Sequence, residues 1–166
     1  IRTGDDHGHS LELLKAVERV NENQKSVLFQ KITSHFGRDL KGRRFAMWGL
    51  SFKPGTDDLR EAPSLVLIDK LLEAGAEVCA FDPVAMEECR RRIGDRVVYA
   101  ENMYDALTDA DALIVVTEWA EFKIPKFTFI EKALKHKIIF DGRNIYSPEQ
   151  MKEFGYVYYG IGRRKE

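Results

Sequence analysis

The stretch "RRFAMWGLSFKPGTDDLR", residues 43–60, decides the fold. Its first half is a continuous apolar run with an aromatic at each end, Phe45 to Trp48, as a strand covered on both faces requires. Its second half is a polar loop. Directly after it, "PSLVLIDKLLEAG" (63–75) spaces apolar residues as a helix does, with Pro63 suited to the first helical position and Gly75 to the turn that ends it. Strand, polar loop, helix is how a nucleotide-binding α/β domain begins. The usual Gly-x-Gly-x-x-Gly is missing, however. The loop is longer and carries Lys53, Asp57, Asp58 and Arg60.

Outward from this stretch the alternation continues. Strands are expected in "EVCAFD", "RVVYA", "ALIVVT", "KIIFDG" and "YVYYGI". Helices are expected near 85–92, 103–108, 127–135 and 148–154. Such a repeat over about 120 residues predicts an α/β fold: a doubly wound, mostly parallel six-stranded sheet of Rossmann-like type. Upstream, Leu13, Leu14, Val17, Val20, Val27, Leu28, Ile32 and Phe36 recur at helical spacing after a Ser10 cap. They predict one helix of roughly 26 residues, about 39 Å long at 1.5 Å per residue. A helix of that length either packs on the domain or bridges to another domain or subunit. The chain therefore divides into a polar lead-in with a long helix (1–37) and a sheet domain (38–166).

Composition narrows the function. Of 166 residues, 44% are hydrophobic and 32% charged, the balance of a globular protein. A net charge of −1 gives no global basic field for nucleic acid. No apolar run approaches the ~20 residues that span a bilayer. Cys79 and Cys89 form no Cys-x-x-Cys pair, and two scattered thiols suit a reducing, cytoplasmic setting. The chain opens on Ile1 in a polar stretch, so it reads as a piece of a longer protein.

In an open parallel sheet, ligands bind beyond the carboxyl ends of the strands. The first strand delivers Gly49, Phe52, Lys53 and Arg60 to that rim. The second delivers Asp82, the fourth Thr117, Glu118 and Trp119, and the fifth Asp141, Gly142, Arg143 and Asn144. Lys53 as a point charge and Arg143 as a planar fork suit a diphosphate, with the amino end of the Pro63 helix adding partial positive charge. Phe52 offers an apolar face to a base or sugar. Alternatively, Lys53 and Arg60 merely neutralise Asp57 and Asp58. Asp82 either binds a ribose hydroxyl or serves structure. His7 and His9, beside Asp5 and Asp6, could bind a metal, but a polar lead-in is the plainer reading. No metal site is expected.

At the loop the sequence is recognisable. "GLSFKPGTDDLREAPS" resembles the signature of the UDP-glucose/GDP-mannose dehydrogenase family. Further matches lie at "VNENQK", "FDP", "VTEWAEF" and "IFDGRN", so the resemblance runs from about Leu11 to Arg163. The Thr-Glu-Trp triplet leans toward the branch that oxidises UDP-glucose to UDP-glucuronate with two NAD. The resemblance implies a long helix used in homodimerisation and a domain holding the UDP part of UDP-glucose. Phe52, Lys53 and Arg143 match substrate-binding positions, and Arg60 matches an arginine that reaches the cofactor NAD. The family's catalytic cysteine lies in a Cys-x-Pro-Lys-Asp motif upstream of the long helix. That motif does not occur here, and neither Cys79 nor Cys89 has the setting of an activated thiol. The expectation is a substrate-binding portion, inactive alone, with no catalytic residue of its own. Alternatives are a sibling acting on UDP-N-acetylmannosamine or GDP-mannose, or a stand-alone nucleotide-binding or dimerisation module.

Overall fold

The computed structural model describes residues 12–163. The Ser10 cap and the His7–His9 cluster lie outside the described residues. Two helices, α1 (Glu12–Lys25) and α2 (Val27–Phe36), lead into the sheet unit. The strands are β1 (Arg44–Trp48), β2 (Glu77–Phe81), β3 (Val98–Tyr99), β4 (Ala112–Val115), β5 (Ile138–Asp141) and β6 (Val157–Gly160). Between them lie α3 (Pro63–Glu73), α4 (Met86–Ile93), α5 (Ala120–Lys123), α6 (Phe127–Ala133) and α7 (Pro148–Glu153). The sheet order is β3-β2-β1-β4-β5-β6, and every pairing is parallel.

Strand β1 shows why this sequence makes two layers. Phe45 and Met47 point to one face, where they join Ile32 of α2 and Leu67, Ile68 and Leu71 of α3. Ala46 and Trp48 point to the other, with Met103, Phe122 and Ile130. The alternation is the ordinary two-residue period of a strand, but both faces are apolar because helices cover both. The buried residues of α3, Ser64, Leu67, Ile68 and Leu71, recur at helical spacing on the side that meets the sheet. Trp48 stacks on Phe122 at 5.1 Å and donates its indole N–H to the Met103 carbonyl at 2.7 Å.

All six expected strands form. The expected long helix is present, with one tightened turn inside it. At Ser26 the backbone N–H bonds three residues back, to Asn23 O (3.1 Å), before the regular ladder resumes at Gln30. One tightened turn thus separates α1 from α2. Residues 103–108 give only a 3₁₀ turn at Asp105–Leu107, and α5 is an additional short helix. His35 is half-buried, with Nδ1 2.7 Å from the Tyr159 hydroxyl. The arginine run at 90–92 is a solvated helix face paired to Glu87, Glu88 and Asp95. Among the described residues no helix is long and apolar enough to cross a membrane, and no cluster suits a metal ion.

Candidate functional site

The strand order reverses between β1 and β4, so the loops leaving these two strands are neighbours on the carboxyl rim. The loop after β5 lies next to them. A cleft of about 750 Å³ opens here, between the α1–α2 helices and the rim. Phe52, Val116, Gly142 and Arg143 form its rim side; Val17, Lys25 and Leu28 form its helix side. Its charged lining is balanced, with Lys25 and Arg143 against Glu22 and Glu61. Lys25 bridges both of those carboxylates, at 2.7 Å and 2.5 Å, and so ties α1 to the end of the signature loop. This tie had no signal in the sequence beyond the "VNENQK" match, because its two ends are 36 residues apart.

Arg143 is the best-held cation of the rim. Its Nε donates to the Val116 carbonyl at 2.8 Å, and its Nη2 donates to the Phe52 carbonyl at 2.9 Å. Glu118 Oε2 lies 3.0 Å from the same Nε, an ion-pair contact without a directed hydrogen bond, because that proton is committed to Val116. The guanidinium therefore joins the loops after β1, β4 and β5, and sits one peptide away from Lys53. Its own loop is held from beneath by Asp141, which is fully buried. Asp141 accepts the Arg143 amide at 2.9 Å, the Tyr146 amide at 3.1 Å and the Tyr158 hydroxyl at 2.8 Å. Burial pushes the Asp141 carboxyl up from its ordinary value, against the pull of those donors.

The signature loop separates its backbone from its side chains. Phe52 is 48% exposed and lines the cleft. Lys53 is exposed and makes no hydrogen bond or ion pair among the described residues. The loop closes through Phe52 N–H to the Asp58 carbonyl at 2.9 Å. Arg60 turns back onto Asp58, with Nε and Nη2 at 3.0 and 2.8 Å from the two carboxylate oxygens. That fork holds the Asp58 carboxyl well below the ordinary range. So Asp58 cages Arg60, as one sequence expectation had it, whereas Asp57 makes no such contact among the described residues. Neither aspartate caps α3: its N-cap, Ala62, carries no side-chain hydrogen bond. Of the three rim cations, Lys53 alone stays uncommitted among the described residues. Arg60 and Lys53 do not line the cleft itself.

Asp82 resolves the choice left open by the sequence. It is fully buried and accepts six hydrogen bonds. One oxygen takes the amides of Leu50 and Ser51, the Ser51 hydroxyl and the Trp119 indole; the other takes the amides of Val84 and Ala85. It serves structure, and its oxygens are saturated, so none is left for a ribose. The "FDP", "GLS" and "TEW" matches meet at this one carboxylate. The thiols are equally inward. Cys79 and Cys89 are buried, and burial pushes both pKa values up, away from the thiolate a nucleophile needs.

With this geometry in place, comparison with known proteins is decisive. The model of the UDP-glucose/GDP-mannose dehydrogenase family UDP-binding domain matches residues 46–148. The chain belongs to this family. It is 45% identical to a UDP-glucose 6-dehydrogenase of Pseudomonas aeruginosa, over 98% of this chain and 37% of that protein. It is 39% identical to the UDP-glucose 6-dehydrogenase TuaD of Bacillus subtilis, over 94% of this chain and 34% of that protein. Among solved structures, a UDP-glucose dehydrogenase from Pyrobaculum islandicum superposes with a TM-score of 0.83 at 33% identity, covering 99% of this chain and 35% of that one. The chain thus spans about a third of the length of the relatives it matches. The parallel, Rossmann-like sheet expected from sequence is the fold this chain shares with the Pyrobaculum islandicum structure.

Proposed function

We propose that this chain is the part of a UDP-glucose 6-dehydrogenase that holds the UDP portion of its substrate, in an enzyme that oxidises UDP-glucose to UDP-glucuronate with two NAD. One observation carries the reading: the hydrogen bond from Arg143 to the Phe52 carbonyl. It brings the "FDGRN" corner and the Phe52–Lys53 pair to one rim in a chain of the UDP-binding family. The Phe52 ring packs against the base or sugar. Lys53 and the remaining N–H groups of Arg143 contact the diphosphate, where charge-assisted bonds are strongest. Binding of this remote handle positions the sugar for reaction. The reacting thiol is not among this chain's cysteines, both of which are buried.

The residues here do not fit NAD at the sheet's own switch point. The glycine fingerprint is absent, and Asp82, where a ribose-binding carboxylate would stand, is saturated by six donors. Arg60, 80% exposed at its side chain and oriented by Asp58, is the residue that faces NAD held elsewhere in the enzyme. In this reading residues 1–37 serve assembly and 38–166 bind substrate. Val17 and Val20, about half exposed on α1, support pairing with a second copy. Two free, buried thiols fit a cytoplasmic enzyme.

Calorimetric titration with UDP, UDP-glucose and GDP tests the reading. UDP is expected to bind, GDP at least tenfold more weakly, and Lys53→Ala to weaken UDP by about tenfold. Equal binding of UDP and GDP, or UDP binding indifferent to Lys53→Ala, would overturn it.

A further inference from the structure

The rim carries one feature that ligand contact does not explain. Strand pairing ends at Gly49, whose N–H bonds the Phe81 carbonyl, and at the Trp48 carbonyl, which accepts Val116 N–H. The next two residues leave the ladder while still buried. Their four backbone polar groups are all taken by side chains from three other elements. Asp82 accepts the amides of Leu50 and Ser51 at 2.8 and 3.1 Å. Ser64 of α3 donates to the Leu50 carbonyl at 2.5 Å. Thr117, after β4, donates to the Ser51 carbonyl at 2.6 Å. Asp82, Ser64 and Thr117 are each fully buried and out of reach of a ligand.

The approach of Thr117 also dictates Gly49. A Cβ at position 49 would lie 2.5 Å from the Thr117 Cβ, and Gly49 adopts φ +93, where other residues are strained. The arrangement therefore reaches back into the strand. It reaches forward as well. Phe52, the next residue, has its amide on Asp58 and its carbonyl on Arg143. Three consecutive residues before Lys53 thus have every backbone polar group bonded, although none of them is in a regular element.

We propose that Asp82, Ser64 and Thr117 are positioning residues. They fix the Leu50–Ser51 peptides so that Phe52 and Lys53 are held in their ligand-binding geometry before the nucleotide arrives. The proposal rests on the UDP-binding reading given above. A loop ordered in advance loses little freedom on binding, so its contacts count fully toward affinity. A loop whose pins are removed must be ordered by the ligand itself.

The test is a double-mutant cycle on UDP affinity in the full chain, with urea unfolding measured alongside. Thr117→Val keeps the shape of the side chain and removes its hydroxyl. It is expected to weaken UDP by about tenfold in the native background. In a Lys53→Ala background it is expected to weaken UDP by about threefold or less, because one of the two contacts it positions is gone. Its effect on the urea midpoint should be the same in both backgrounds. Thr117→Ser, which restores a hydroxyl, should restore affinity. A merely structural threonine would shift the midpoint without coupling to Lys53. Unchanged affinity in Thr117→Val, or an equal loss in both backgrounds, overturns the positioning role while leaving the UDP reading standing. If Lys53→Ala alone changes nothing, the UDP reading falls and this inference with it. Should Thr117→Val not fold, Ser64→Ala removes the neighbouring pin and is carried through the same cycle.

Discussion

The two halves of the rim use the same device to different ends. Under the β1 loop lies Asp82, and under the β5 loop lies Asp141, each a fully buried carboxylate that collects backbone amides. Asp82 gathers six donors and presents Lys53, a cation with no partner among the described residues. Asp141 gathers fewer, and presents Arg143, a cation already bonded to two carbonyls and beside Glu118. On the proposed UDP-binding reading, structure and ligand contact fall to different residues on the first side and to one side chain on the second. Mutations should therefore separate stability from affinity on the β1 side and mix them on the β5 side.

The largest expected effect is from Asp82→Asn. An amide cannot accept all six bonds and turns an N–H₂ toward existing donors, so a loss on the order of 3 kcal/mol is expected. Urea unfolding at neutral pH measures it. A loss under about 1 kcal/mol would mean that the carboxylate does not hold the β1 half together. Arg143→Ala comes next, at about 2 kcal/mol of stability, since it leaves the Phe52 and Val116 carbonyls without this donor. It should also weaken UDP at least tenfold. Loss of affinity with no loss of stability would break the contrast with Lys53.

Asp141→Asn should cost about 1 kcal/mol near neutral pH, and its cost should depend on pH in a definite direction. The folded pKa of Asp141 lies above its ordinary value of 3.8 because of burial. Its contribution to stability is therefore greatest below that value and declines as pH rises through the folded pKa. The gap in urea midpoint between the native chain and Asp141→Asn should narrow from pH 3.5 to pH 7. A widening gap would place the carboxyl in the opposite class, with its charge favoured by folding. The smallest stability effect belongs to Lys53→Ala, within about 0.5 kcal/mol, since this exposed side chain has no partner among the described residues. Its tenfold effect on UDP then stands alone. A midpoint shift as large as that of Arg143→Ala would erase the difference between the two halves.

The sheet was legible because six apolar runs, each separated by helical spacing or turn residues, admit few topologies. The rim residues were legible too, since the end of each strand is where a parallel sheet puts its loops. What the sequence hid were partnerships across distance. Asp82 stands in the "FDP" match, yet four of its six donors come from residues 50–51 and 119, more than thirty positions away, and those are what saturate the carboxylate. Local geometry fared better: Arg60 and Asp58 are two residues apart, and their pairing was one of the readings drawn from the loop alone. The break at Ser26 escaped because Val20 and Val27, on either side of the polar "NENQKS", stay seven residues apart and so in helical phase, and spacing alone does not report a single tightened turn.

Gly142 lies between Asp141 and Arg143, and a methyl group there would fall 2.7 Å from Leu28 of α2 and 2.9 Å from the Val115 carbonyl. The clearance between helix and corner is thus less than the width of one carbon atom. Any tilt of α2 toward the sheet would press on the same dipeptide that aims the guanidinium, and any repacking of that dipeptide would lift the helix. A partner seated on α1 and a nucleotide seated on the rim would consequently feel one another through this bare backbone contact as well as through the Lys25–Glu61 pair.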